Sequence, residues 1–172
     1  MLRIDLAPFR TGMHYVALEP EAQALALDPD RFMDIRVDVA LDVLNDRVLA
    51  TLHATATAVL ECDRTLALFE HPLEGDCRIL FAPPSWARSH DDEEDPGFEE
   101  VRILPPSNRE VDLTDAVRDT LLLAIPARKV APGAEDLEIP SVFGAPSRSE
   151  EAAIDPRWEA LRSLKAGDGA QG

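Results

Sequence analysis

The stretch DIRVDVALDVLNDRVLATLHATATAVL, residues 34–60, decides the fold class. Ile35, Val37, Val39, Leu41 and Val43 alternate with Asp34, Arg36, Asp38 and Asp42. Period two is the pattern of a strand with one buried face. Leu44-Asn45-Asp46-Arg47 is turn chemistry, because Asn and Asp tolerate positive φ. The return run keeps the alternation. Val48, Ala50, Leu52, Ala54, Ala56, Ala58 and Leu60 share one face, and Thr51, His53, Thr55 and Thr57 share the other. The spacing predicts an antiparallel pair over about 34–44 and 47–60.

The alanines on the inner face leave room for a bulky layer opposite, and DLTDAVRDTLLLAIP, residues 112–126, supplies one. Asp112 is placed to cap a helix, and Asp115 suits the positive end of its dipole. Leu113, Ala116, Val117, Leu121 and Ala124 form one apolar stripe at three- and four-residue spacing. Leu122, Leu123 and Ile125 widen it, which predicts deep burial of the last turns. Pro126 forces Ile125 out of helical geometry and ends a helix of about 112–125.

Outward from this pairing, Leu2–Leu6 and Met13–Leu18 read as short strands and Pro20–Leu27 as a short helix. Strands are expected near 65–70 and 76–82, joined by a hairpin loop His71–Gly75, and another over 99–104. The loop 85–98 carries Asp91-Asp92-Glu93-Glu94-Asp95, which repels itself and should be solvated. The fold class is therefore α+β. An antiparallel sheet or partly open barrel of about five to seven strands packs against the helix. This domain covers residues 1–130. Residues 131–172 read as an extended tail with Pro132, Gly133, Pro140, Gly144 and Pro146. Near its end Asp155-Pro156 starts a short amphipathic helix at about 156–165, carrying Trp158, Leu161 and Leu164.

Composition narrows the chemistry. The 172 residues are 45% hydrophobic, enough for a sizeable core, yet no apolar run is long enough to span a membrane. The start, MLRIDLAPFRTG, lacks the apolar core of a signal peptide, so a cytoplasmic protein is expected. Cys62 and Cys77 are too few for a disulfide framework. The net charge is −16, from 33 acidic and 17 basic residues. Nucleic-acid binding normally displaces counterions with a basic surface, so a basic protein is the easier partner. His14, His53, His71 and His90 are scattered, whereas a metal site needs converging ligands. There is no glycine-rich phosphate loop, nucleophile elbow or HExxH. Neither an enzyme nor a cofactor is expected. Glu61-Cys62-Asp63-Arg64-Thr65-Leu66 reads either as a tight turn with Cys62 buried or as a recognition corner with Arg64 exposed.

Four pieces of the chain, in order, carry a resemblance. They are the corner Cys62-Asp63-Arg64-Thr65-Leu66 and the acidic run His90–Asp95. Next come Val111-Asp112-Leu113 through Leu122-Leu123-Ala124-Ile125-Pro126, and Asp155-Pro156-Arg157-Trp158 through Leu164. Together they resemble the YceD-like family, the large ribosomal RNA subunit accumulation proteins. Thr65 stands where many members have a second cysteine, and no cysteine follows Pro126. A metal or redox role suggested by the cysteine-rich members is therefore not carried over. The resemblance implies a non-enzymatic cytosolic factor needed for large-subunit rRNA accumulation. In bacteria the family is often encoded beside a small basic large-subunit ribosomal protein, which such a protein's partner would be. The expected interaction residues are Cys62, Arg64, Asp91, Asp92, Glu93, Glu94, Asp155, Arg157 and Trp158. Direct contact with precursor rRNA would instead need a basic patch, drawn from Arg3, Arg10, Arg36, Arg47, Arg64 and Arg78. A metal-binding or enzymatic domain is the remaining alternative.

Overall fold

In the computed structural model, which describes residues 1–87, 97–105 and 107–136, the alternating stretch forms the centre of a sheet. Strand β1 is Arg3–Asp5, β2 Gly12–Leu18, β3 Phe32–Val43, β4 Val48–Glu61 and β5 Leu68–Ala82. A short helix α1 (Pro84–Ala87) precedes β6 (Glu100–Ile103) and β7 (Glu110–Asp112), and α2 spans Thr114–Leu123. The main sheet has five strands in the order β2-β3-β4-β5-β6, and β1 pairs with β7 in a separate two-stranded sheet. The sheet stays open, so of the two expected architectures the open sheet is the one formed.

The β3–β4 hairpin forms as the period predicts. Val43 faces Val48, and the Leu44 N–H donates to the Arg47 carbonyl at 2.9 Å. Ile35, Val37, Val39 and Leu41 are buried, as are the even-numbered residues of β4 from Val48 to Leu60. β3 starts two residues earlier than expected. Its register shifts between Met33 and Arg36, where Asp34 takes a positive φ of 52°. Such a bulge needs a residue tolerant of left-handed backbone, and Asp is one. The helix expected over 20–27 is a single 3-10 turn, Ala22–Leu25.

Three expectations are corrected. Residues 71–75 are no hairpin loop, because β5 runs unbroken through Pro72, which faces Thr57. A proline is tolerated there because only Ile79–Ala82 of β5 pair with β6, which leaves the preceding part an edge. The β5–β6 pair is parallel, so the sheet is mixed rather than wholly antiparallel. A parallel neighbour needs a long crossover, and residues 83–99 supply the length. Leu122 and Leu123 are 42% and 84% exposed, so the last turn of α2 is not deeply buried. The helix packs by one face only. Leu113, Ala116, Val117, Thr120 and Leu121 lie on that face, and a step of about 100° per residue turns Leu122 and Leu123 away. The helix expected at 156–165 lies outside the described residues.

Two residues fix where α2 sits. Asp112 is not the helix cap expected: it ends β7, Leu113 holds the cap position, and the Asp112 carboxylate instead accepts the Thr114 N–H at 3.0 Å and the Thr114 hydroxyl at 2.6 Å, fixing the entry into α2. Burial pushes its carboxyl up, but the Thr114 bonds and the Arg3 charge outweigh this and hold it below its ordinary value. Gly75, opposite Ala54 on β4, lets α2 approach the sheet. A Cβ there would lie 2.7 Å from Thr120 Cγ2 and 3.3 Å from the Thr120 carbonyl oxygen.

Candidate functional site

The corner between β4 and β5 is built from consecutive residues that all reach one segment. Cys62 Sγ accepts the Ala131 N–H at 3.3 Å. The Asp63 N–H donates to the Lys129 carbonyl at 2.7 Å, and the Asp63 carboxylate accepts the Lys129 N–H at 2.7 Å. Arg64 donates through Nη1 to the Ala134 carbonyl at 2.9 Å and also to the Glu135 carbonyl. Residues 129–135, which follow α2, are thereby clasped against the corner, with Ala134 buried. The turn itself closes through Cys62 N–H to Ala67 O and Leu66 N–H to Cys62 O, both 2.9 Å, with Leu66 at a φ of 59°.

The corner is a tight turn with Cys62 buried. Arg64 is half-buried rather than exposed, and its guanidinium is engaged by backbone carbonyls. The Cys62 side chain is fully enclosed. Its sulfur is ringed by donors, foremost the Ala131 N–H and then the Thr65 hydroxyl, which bring the thiol down to about 7 despite desolvation. Both cysteines are free. Cys77 faces Leu52, ten residues along β4 from Cys62, a separation of roughly 30 Å at strand rise and far beyond disulfide reach. Of the other expected interaction residues, Asp91, Asp92, Glu93, Glu94, Asp155, Arg157 and Trp158 lie outside the described residues. Among the described residues, no three His, Cys, Asp or Glu side chains are grouped to hold a metal ion.

The outer face of the sheet carries an acidic stripe. Glu70, Glu74 and Asp76 are exposed on alternate positions of edge strand β5, and the register places Asp38, His53 and Asp76 in one row. His53 Nδ1 lies 2.9 Å from Asp76 Oδ1 and Nε2 3.8 Å from Glu74 Oε1. The Asp76 hydrogen bond is the main reason its imidazole is raised above 6.5; burial works against it, and the charges of Asp76, Glu74 and Asp38 add to the rise. The alternation of β4 marks His53 as facing this side, whereas the acids of β5 carry no such local mark, because Pro72 and Gly75 interrupt the pattern of that strand.

The arginines sort into two groups. Arg3 pairs with Asp112 at 3.3 Å and Glu110 at 3.6 Å, and Arg36 with Glu19 at 3.5 Å. Arg78 donates to the Gly97 carbonyl at 3.2 Å. Arg10 and Arg47, by contrast, line one cleft of about 570 Å³ together with Arg109. Three loops converge there. The Leu6 N–H donates to the Arg109 carbonyl at 2.6 Å, Gly12 faces Val43 beside the β3–β4 turn, and the Leu104 N–H donates to the Ala82 carbonyl at 2.8 Å. Arg109 was missed because nothing local marks it; only the β1–β7 pairing brings it to Arg10.

The fold and these surfaces define an open mixed sheet backed by one helix, with an acidic face and an arginine-lined end. A family model described as "Large ribosomal RNA subunit accumulation protein YceD" matches residues 50–165, about two thirds of the chain. The chain belongs to the YceD family. The match runs from β4 through α2 and so includes the clasped corner. No curated protein and no solved structure matches the chain. The family description names a role in the accumulation of large-subunit ribosomal RNA and no reaction. No described helix is long and apolar enough to cross a membrane.

Proposed function

We propose that this chain supports large-subunit rRNA accumulation as a non-enzymatic cytoplasmic binding factor, and that its partner is a basic protein of the large ribosomal subunit. The acidic stripe on β5 carries this reading. Glu70, Glu74 and Asp76 share one exposed face on the edge of the sheet, and only His53 pairs with two of them among the described residues. An excess of 33 acidic over 17 basic residues extends the field and speeds encounter with a basic protein. The clasped corner is the scaffold for that face rather than its contact surface.

The test is capture of large-subunit proteins by the immobilised chain at moderate salt. A basic ribosomal protein is expected in the bound fraction, and Glu70→Gln/Glu74→Gln/Asp76→Asn should reduce its recovery. Recovery of no basic protein would exclude this partner.

A further inference from the structure

We propose that the cleft lined by Arg10, Arg47 and Arg109 holds the phosphate backbone of a single RNA strand, a second binding surface at the turn end of the sheet. The rRNA context rests on family membership, whereas the cleft itself is independent of the protein partner proposed above. Arg10 and Arg109 are exposed and form no ion pair with another described residue. Arg47 lies 4.0 Å from Asp46, the one acidic residue lining the cleft, and its guanidinium sits 5.8 Å from the centre of the Trp86 ring. Three arginines thus line one concavity in a chain of net charge −16, and among the described residues two of them lack the carboxylate partner that Arg3, Arg36 and Arg118 each have.

The lining distinguishes among anions. Guanidinium groups clamp phosphate oxygens through paired N–H donors. Phe9 and Leu104 give the cleft apolar wall, and Asn45 and Asn108 give it amides. A nucleobase uses both kinds of group, the apolar wall under its face and the amides at its edge. An acidic peptide offers carboxylates for the arginines, but its acidic side chains carry no flat ring for the wall. A double helix is too wide to lay its bases against such a cleft, so a single strand is the form that fits.

The experiment is binding of the full chain to a labelled mixed-sequence single-stranded RNA, read by anisotropy. Three phosphate contacts predict about a twenty-fold loss of affinity between ~50 and ~200 mM salt. Arg10→Gln/Arg47→Gln/Arg109→Gln should weaken binding by about ten-fold or more at the lower salt and flatten the salt dependence. The matched control Arg3→Gln/Arg31→Gln/Arg36→Gln removes the same charge from ion-paired arginines and should bind like the unaltered chain. The double variant Arg10→Gln/Arg109→Gln changes only exposed side chains, and its thermal melt separates lost binding from lost folding. Equal losses in the triple variant and the control would overturn the proposal, as would undiminished binding by the triple variant. So would displacement of the RNA by poly-glutamate at equal charge concentration. The acidic-stripe variant should leave RNA affinity undiminished, so failure here and failure of the protein partner are told apart.

Discussion

Arg64 joins two parts of the chain far apart in sequence, through carbonyls of Ala134 and Glu135. Hydrogen bonds from a charged donor each contribute about 1.5–3 kcal/mol, so Arg64→Ala should release residues 129–135 before it unfolds the sheet. Cys62 reports on this directly, because its sulfur is enclosed and bonded to Ala131. In a Cys77→Ser background, a thiol reagent should label Cys62 slowly in the otherwise unaltered protein and much faster after Arg64→Ala. Equal labelling rates would mean that the clasp does not hold the segment. His53 offers a second readout. Its raised pKa means that the charged ring contributes stability below the unfolded value of 6.5, and the contribution is lost as pH rises through the higher folded value. An NMR titration should place His53 above 6.5, and Asp76→Asn should bring it back toward that value. The side chain is partly exposed, so the effect on overall stability is small. Neither partner was legible from sequence. Nothing in Cys-Asp-Arg says which distant carbonyls will meet the guanidinium, and the His53–Asp76 contact depends on the register of two strands.

At the scale of elements, the same division holds between what local pattern decides and what pairing decides. The β3–β4 hairpin and α2 are readable because both have strong periods and local punctuation, Asn45-Asp46 for the turn and Asp112 for the helix start. β5 is where reading by local punctuation fails. His71-Pro72-Leu73-Glu74-Gly75 has the composition of a loop, yet Pro72 lies on an edge and Gly75 is small because α2 crosses it. The pattern of alanines on β4 predicts a close helix, and Gly75 is the other half of the same notch. Gly75→Val should therefore force the Thr120 turn away from the sheet and lower stability by about 1–3 kcal/mol in urea unfolding. Leu121→Ala, which empties the helix face without moving it, should lower stability by about 2–5 kcal/mol. If Gly75→Val is neutral while Leu121→Ala is costly, the close approach at Gly75 is not what positions α2. β7 and the parallel placement of β6 were not readable either, since each is set by a partner distant in sequence rather than by its own residues.

For the whole molecule, the total charge conceals two surfaces of opposite sign. Composition alone argues for a basic partner and against nucleic acid, and the acidic stripe on β5 agrees with the first half. The arginine cleft qualifies the second half. Arg10, Arg47 and Arg109 belong to three loops that only the folded topology brings to one end of the sheet. A factor with an acidic face and a phosphate-binding end would hold a basic ribosomal protein and an rRNA strand on one scaffold. Membership of the YceD family supplies the process in which both would be needed. The most direct measurement is to deplete the protein in cells and resolve their ribosomal particles on a sucrose gradient. A selective fall in large subunits and their rRNA is expected, restored by the unaltered chain and restored poorly by the acidic-stripe and arginine-cleft variants. An unchanged particle profile, or an equal loss of both subunits, would contradict it.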